Sequence, residues 1–137
     1  MNRRASAVWK GSIKEGSGSF SVASGAINDL KYSFKTRFEG APGSNPEELI
    51  AAAHASCFSM ALDVQLGERG IVPESIETTC DVTFENKTLT KSALTTKVTA
   101  PGADKGKIEE AAAAAKAGCP ISKVLKLDIS LDLQIAS

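Results

Sequence analysis

Apolar and polar positions alternate with a period of two over much of this chain, interrupted by one long apolar run and one alanine-rich stretch. Near the N-terminus, Ala5 to Lys10, Ser19 to Ala23 and Tyr32 to Glu39 read as short strands, punctuated by Gly11, Gly16, Gly18, Gly25 and Asn28-Asp29. In the third, Tyr32, Phe34 and Phe38 share a face and Ser33, Lys35, Arg37 and Glu39 the other, so Arg37 is expected to point away from the aromatics. A turn at Pro42-Gly43-Ser44 then leads into Asn45-Pro46-Glu47-Glu48, which predicts a helix start. Asn45 can cap, Pro46 suits the first helical position, and Glu48 completes a capping-box-like pair. The helix is expected to end near Glu68, with Gly67 and Gly70 close to its stop.

Between Leu49 and Leu62 only His54, Ser56 and Ser59 are polar. A helix apolar nearly all round has no solvent face and calls for burial on most sides. A small two-layer domain leaves the back of such a helix open. The expectation is therefore an obligate homodimer built around it.

After Pro73 the period of two returns. Ile76, Thr78, Cys80, Val82 and Phe84 share one face, and Leu94, Thr96 and Val98 alternate similarly before Pro101-Gly102. Asp104 to Ala117, with the alanine run Ala111 to Ala115, predicts a second helix that stops at Gly118, and Pro120 can start a short third one through Leu125. In the last strand Leu127, Ile129, Leu131, Leu133 and Ile135 face inward. This order predicts an α+β fold with antiparallel sheets and a long buried central helix, in a single domain over residues 1–137.

Composition changes the picture mainly by exclusion. Sixteen basic residues balance 16 acidic ones, so the electrostatic footprint of a nucleic-acid or anionic-membrane binder is missing. Arg3 and Arg4 are not followed by an apolar stretch, as a secretory signal requires, and the Leu49–Leu62 run is shorter than the roughly 20 residues that span a bilayer. A cytoplasmic protein without membrane or nucleic-acid partners is expected. Three cysteines, an odd number, argue against a structural disulfide framework and leave reactive, metal-binding or inert thiols.

The cysteines differ in setting. Cys57 lies inside the apolar helix, where burial opposes ionisation; it is either a small core residue or a nucleophile activated by a cation, for which Arg37 is the nearest candidate, itself readable as a solvated strand residue. Cys119 lies between two helices, where free backbone N–H groups favour thiolate; the alternative is a small cap residue. Cys80 faces inward on its strand and reads as structural. His54 is near enough to Cys57 on the helix for an ion pair, or with Cys119 for a metal site. A packed, hydrogen-bonded histidine fits better, because no paired-ligand spacing accompanies it. Glu47 and Glu48 are most simply acids at a positive helix end.

The segments TRFEG (Thr36 to Gly40), NPEELIAAAHASCFSMAL (Asn45 to Leu62) and KAGCPIS (Lys116 to Ser122) resemble the OsmC/Ohr family of organic hydroperoxide reductases, and the likeness runs over essentially the whole chain. The arginine in TRFEG favours the OsmC branch. The resemblance implies a thiol peroxidase in which Cys57 is peroxidatic, Cys119 is resolving, and Arg37 stabilises thiolate and peroxide. The family's glutamate maps onto Glu47. Along a helix Glu47 would lie about 15 Å from Cys57, so its expected part is to orient Arg37, within the chain or across a dimer interface. The resemblance further implies an intertwined homodimer, an organic hydroperoxide as substrate, a dithiol reductant of the lipoyl type, and no cofactor: no metal, haem or flavin; the apolar helix around Cys57, with Leu49, Ala53, Phe58, Met60 and Ala61, is expected to favour apolar hydroperoxides over hydrogen peroxide. A non-catalytic thiol redox sensor or binding module using the same disulfide is the competing reading.

Overall fold

A computed structural model describes residues 1–136. They form two compact units, one up to Leu49 and one from Ile50 onward.

The first unit holds strands β1 (Ala5–Lys10), β2 (Ser17–Val22) and β3 (Leu30–Tyr32) in one antiparallel sheet of that order. Trp9 pairs with Gly18, which pairs with Tyr32 on its other side. A Cβ on Gly18 would lie 2.7 Å from both aromatic rings, and its absence lets Trp9 and Tyr32 meet across it at 5.5 Å between centroids.

Here one expectation is corrected. The stretch Tyr32 to Glu39 is not a strand: β3 stops at Tyr32, and Phe34–Phe38 is a short helix, α1. A reciprocal capping box decides it. The Ser33 hydroxyl accepts from the Thr36 amide at 3.3 Å, and the Thr36 hydroxyl accepts from the Ser33 amide at 2.9 Å. Phe34 and Phe38, which also fit a period of two, stack one helical turn apart with centroids at 5.0 Å. Arg37 therefore projects from a helix, not from the polar face of a strand.

Helix α2 (Pro46–Glu68) begins in the first unit and runs on in the second. Asn45 caps it, its side-chain oxygen accepting from the Glu48 amide at 2.8 Å. At 23 residues the helix is long and apolar enough to cross a membrane by length and composition, which the shorter Leu49–Leu62 run had not suggested. Only one stripe of it is buried, His54, Phe58, Leu62 and Leu66, each four residues from the next. The burial on most sides expected of so apolar a helix is not achieved by one chain.

The second unit adds β4 (Ser75–Glu85), β5 (Thr88–Thr99), α3 (Lys105–Gly118), α4 (Pro120–Val124) and β6 (Asp128–Ala136). Its sheet has the order β4-β5-β6. β4 and β5 form the expected antiparallel hairpin, but β5 and β6 are parallel, with Leu94 opposite Leu131 and Thr96 opposite Leu133. The antiparallel expectation fails at this ladder because α3 and α4 lie between the two strands. Such a connection carries the chain back to the starting end, as a tight turn cannot. Phe58, Leu62, Leu66, Leu94, Val98, Ile108 and the small residues Ala111, Ala112, Ala115 and Cys119 share the core of this unit. α2 is tied to the sheet by hydrogen bonds as well, Ser59 donating to Thr78 at 2.7 Å and His54 meeting Ser92 of β5 at 2.6 Å.

Candidate active site

In the second unit the two cysteines singled out by sequence stand side by side. Cys57, half-buried on α2, has its sulfur 3.0 Å from that of Cys119, and both are free thiols. A disulfide needs about 2.0 Å between sulfurs, so closure asks for a movement on the order of 1 Å. Cys119 is fully buried and occupies the junction of α3 and α4. Its amide donates to Ala115 as α3 ends, its carbonyl accepts from Lys123 as α4 begins, and Pro120 takes the first position of α4, where no N–H is needed.

This setting splits the two thiols. Burial pushes the Cys57 thiol up and the Cys119 contact pushes it further, against an opposing hydrogen bond from the Ile121 backbone. Burial also opposes ionisation of Cys119, but hydrogen bonds from Cys57, from the amide and hydroxyl of Ser122 and from the Ile121 backbone outweigh it and bring this thiol below its ordinary value. Of the two thiols, Cys119 is therefore the first to give up its proton. Within this unit, a first attack by Cys57 calls for a cation beside its sulfur.

The first unit, taken by itself, holds one oriented cation. Arg37 of α1 grips the Glu47 carboxylate at the start of α2, Nε donating at 3.1 and 3.2 Å and Nη2 at 2.6 Å. The pair forms within one chain. The guanidinium also lies over the Phe38 ring at 5.1 Å. With side-chain exposures of 33% for Arg37 and 14% for Glu47, solvent screens the attraction, so its main effect is to hold a planar group in one orientation. A cavity of about 180 Å³ opens beside it, lined by Trp9, Ile13, Tyr32, Phe34, Phe38 and Arg37.

A family model described as OsmC-like protein matches residues 38–134. The chain belongs to the OsmC family. Over its full length it is 49% identical to "Peroxiredoxin OsmC" of Escherichia coli (strain K12), an alignment of 141 residues spanning 100% of this chain and 99% of the relative. It is 32% identical over 99 residues to "Organic hydroperoxide resistance protein OhrB" of Bacillus subtilis (strain 168), across 71% of this chain and 73% of that one. The crystal structure of an OsmC-like protein from Mycoplasma pneumoniae superposes with a TM-score of 0.76 at 14% identity, covering 100% of this chain and 99% of that one. This likeness shows the fold, α+β with two small sheets and a central helix.

Two serines of the second unit and one cavity of the first escaped the sequence reading. Ser122 sits three residues after Cys119, the spacing at which a helix-start side chain reaches back to the cap, and that signal was available. Ser92 continues the inward register of Leu94, Thr96 and Val98 by one step, a polar residue at a buried position, and so also carried a signal. The aromatic cavity beside Arg37 had none, because it depends on α1 being a helix.

Proposed function

We propose that this OsmC-family chain is a thiol peroxidase that reduces organic hydroperoxides to alcohols. The Cys57 thiolate attacks the terminal peroxide oxygen, the O–O bond breaks, and the alcohol leaves after taking a proton, with Cys57 as sulfenic acid. Cys119 then attacks the Cys57 sulfur; the S–S bond forms, the S–O bond breaks and water departs. An external dithiol, for which a lipoyl-type compound is our candidate, reduces the disulfide and completes the cycle. Arg37, oriented by Glu47, stabilises the Cys57 thiolate and the charge developing on the peroxide oxygens, in its own chain or across a dimer interface. In this reading residues 1–137 act as one domain, cytoplasmic and dimeric through the open back of α2.

The observation that carries the proposal is the 3.0 Å approach of two free cysteine sulfurs in a chain 49% identical to a peroxiredoxin. A peroxidase of the peroxiredoxin type is the coarse class this relationship supports. The test is consumption of cumene hydroperoxide with excess dihydrolipoamide. Continuous turnover, faster than with hydrogen peroxide because apolar walls favour an apolar tail, is expected. One round of disulfide formation without turnover would replace the enzyme by a thiol sensor.

A further inference from the structure

Two side-chain contacts join α2 to the junction of α3 and α4. One is the 3.0 Å approach of the Cys57 and Cys119 sulfurs; the other is a hydrogen bond of 2.8 Å between His54 Nε2 and the Ser122 hydroxyl. His54 precedes Cys57 by three residues on α2, and Ser122 follows Cys119 by three residues at the start of α4. The two contacts thus link the same two elements roughly 4.5 Å apart along the helix, close to one turn. His54 is fully buried and Ser122 nearly so, which shields their bond from competing water.

The imidazole is held from both sides. Its Nδ1 lies 2.6 Å from Ser92 Oγ on β5, the middle strand of its sheet, and Ser92 Oγ lies 3.0 Å from Cys80 Sγ on β4. A neutral imidazole has one donor and one acceptor nitrogen, and each serine hydroxyl can take either part, so both bonds hold in either tautomer. Around them α2 and α3 share an apolar core, Phe58, Leu62 and Leu66 with Ile108, Ala111, Ala112 and Ala115. Apolar burial has no preferred direction. A hydrogen bond demands a distance and an angle, and so fixes where the start of α4 sits against α2.

We propose that His54 and Ser122 are positioning residues for the cysteine pair: their hydrogen bond clamps the start of α4 to α2 and keeps the Cys57 and Cys119 sulfurs within bonding reach. Reacting atoms about 3–3.5 Å apart stand in attack range, and a misplacement of about 1 Å can cost 10²-fold. The two sulfurs already stand in that range. Without the clamp the start of α4 is free to draw Cys119 back, and the pair must be brought together again before a bond can form. The role rests on the peroxidase reading, whose second step closes this disulfide; closure itself can be measured with no hydroperoxide.

The test equilibrates the protein with oxidised and reduced glutathione. The Cys57 and Cys119 thiols give two electrons and two protons to oxidised glutathione; their S–S bond forms, the glutathione disulfide breaks, and two reduced glutathione molecules result. Alkylation and mass spectrometry read the fraction closed, and the equilibrium constant is the effective concentration of one sulfur at the other. Ser122→Ala, which suits a helix at least as well as serine, should lower that constant about tenfold, the size of one hydrogen bond. His54→Asn, whose amide reaches only as far as Nδ1, keeps Ser92, loses Ser122 and should match it. Ser59→Ala also removes a hydrogen bond from α2, the 2.7 Å one to Thr78 of β4, but leaves α4 untouched. It should leave the constant within about twofold of the parent value, as expected of an uncoupled site. An unmoved or raised constant in Ser122→Ala, a parental constant in His54→Asn, or an equal fall in Ser59→Ala overturns the clamp. A parent protein whose pair closes and responds as expected yet consumes no cumene hydroperoxide overturns the peroxidase reading alone.

Discussion

At the scale of single residues the two cysteines hold different halves of the proposed reaction, and substitution should separate them. Cys57→Ser removes the attacking sulfur and is expected to abolish hydroperoxide consumption. Cys119→Ser should still react once, leaving a sulfenic acid on Cys57 that dimedone labels and mass spectrometry detects. Equal loss of the first oxidation in both variants would contradict the assignment. Glu47→Gln keeps the shape of the Arg37 partner but removes its charge, so the guanidinium loses a bidentate carboxylate. A fall in kcat/KM of about 10²-fold is expected, in line with loss of one preorganised electrostatic contact. Unchanged kinetics would mean that Glu47 serves only the start of α2.

At the scale of elements, what could be read in the chain depended on whether a pattern had one physical meaning. The Asn45 cap, the α3 stop before Cys119 and the inward face of β6 each had one, and each stands where the pattern put it. Tyr32, Phe34 and Phe38 had two meanings, because positions i and i+4 satisfy both a period of two and a helical turn. Ser33 and Thr36 settle the matter, but a capping box is visible only to a reader already looking for a helix. The parallel pairing of β6 was illegible for another reason: alternation defines a face and says nothing of strand direction. The closeness of Cys57 and Cys119 was not in local sequence at all, which made Cys119 look reactive and Cys57 dull; the roles proposed for them come from the family likeness.

α2 also carries a pH dependence. Burial lowers the ionisation point of His54, so below about pH 6.5 the unfolded chain binds a proton that the folded chain refuses. Stability is then highest above that pH and falls as pH drops toward the folded value, by up to about 1.4 kcal/mol per unit. Urea midpoints measured from pH 7 to pH 5 should decline in the parent protein and decline less in His54→Gln, which has no proton to gain. Parallel declines would place the acid sensitivity elsewhere.

At the scale of the whole molecule the open question is what covers the back of α2. Met60 is 74% exposed and Val64 58%, one turn apart on a helix whose opposite stripe is already buried. Water, a bilayer and a second copy are the possible neighbours. Water leaves this apolar face unexplained. A bilayer would have to take in Asp63, exposed between Met60 and Val64, at a cost that membranes rarely permit without a partner. A second copy can bury Met60 and Val64 while leaving Asp63 at a polar rim, and the symmetry of a dimer uses each contact twice. Burying a side chain of this kind contributes about 1.5–3 kcal/mol, so losing Met60 from both copies removes at least about 3 kcal/mol, roughly a 100-fold weaker association. Sedimentation at micromolar concentration should therefore find a dimer for the parent protein and a large shift toward monomer for Met60→Glu. A parent protein that is monomeric there would sink the dimer, and with it any role for Arg37 across an interface.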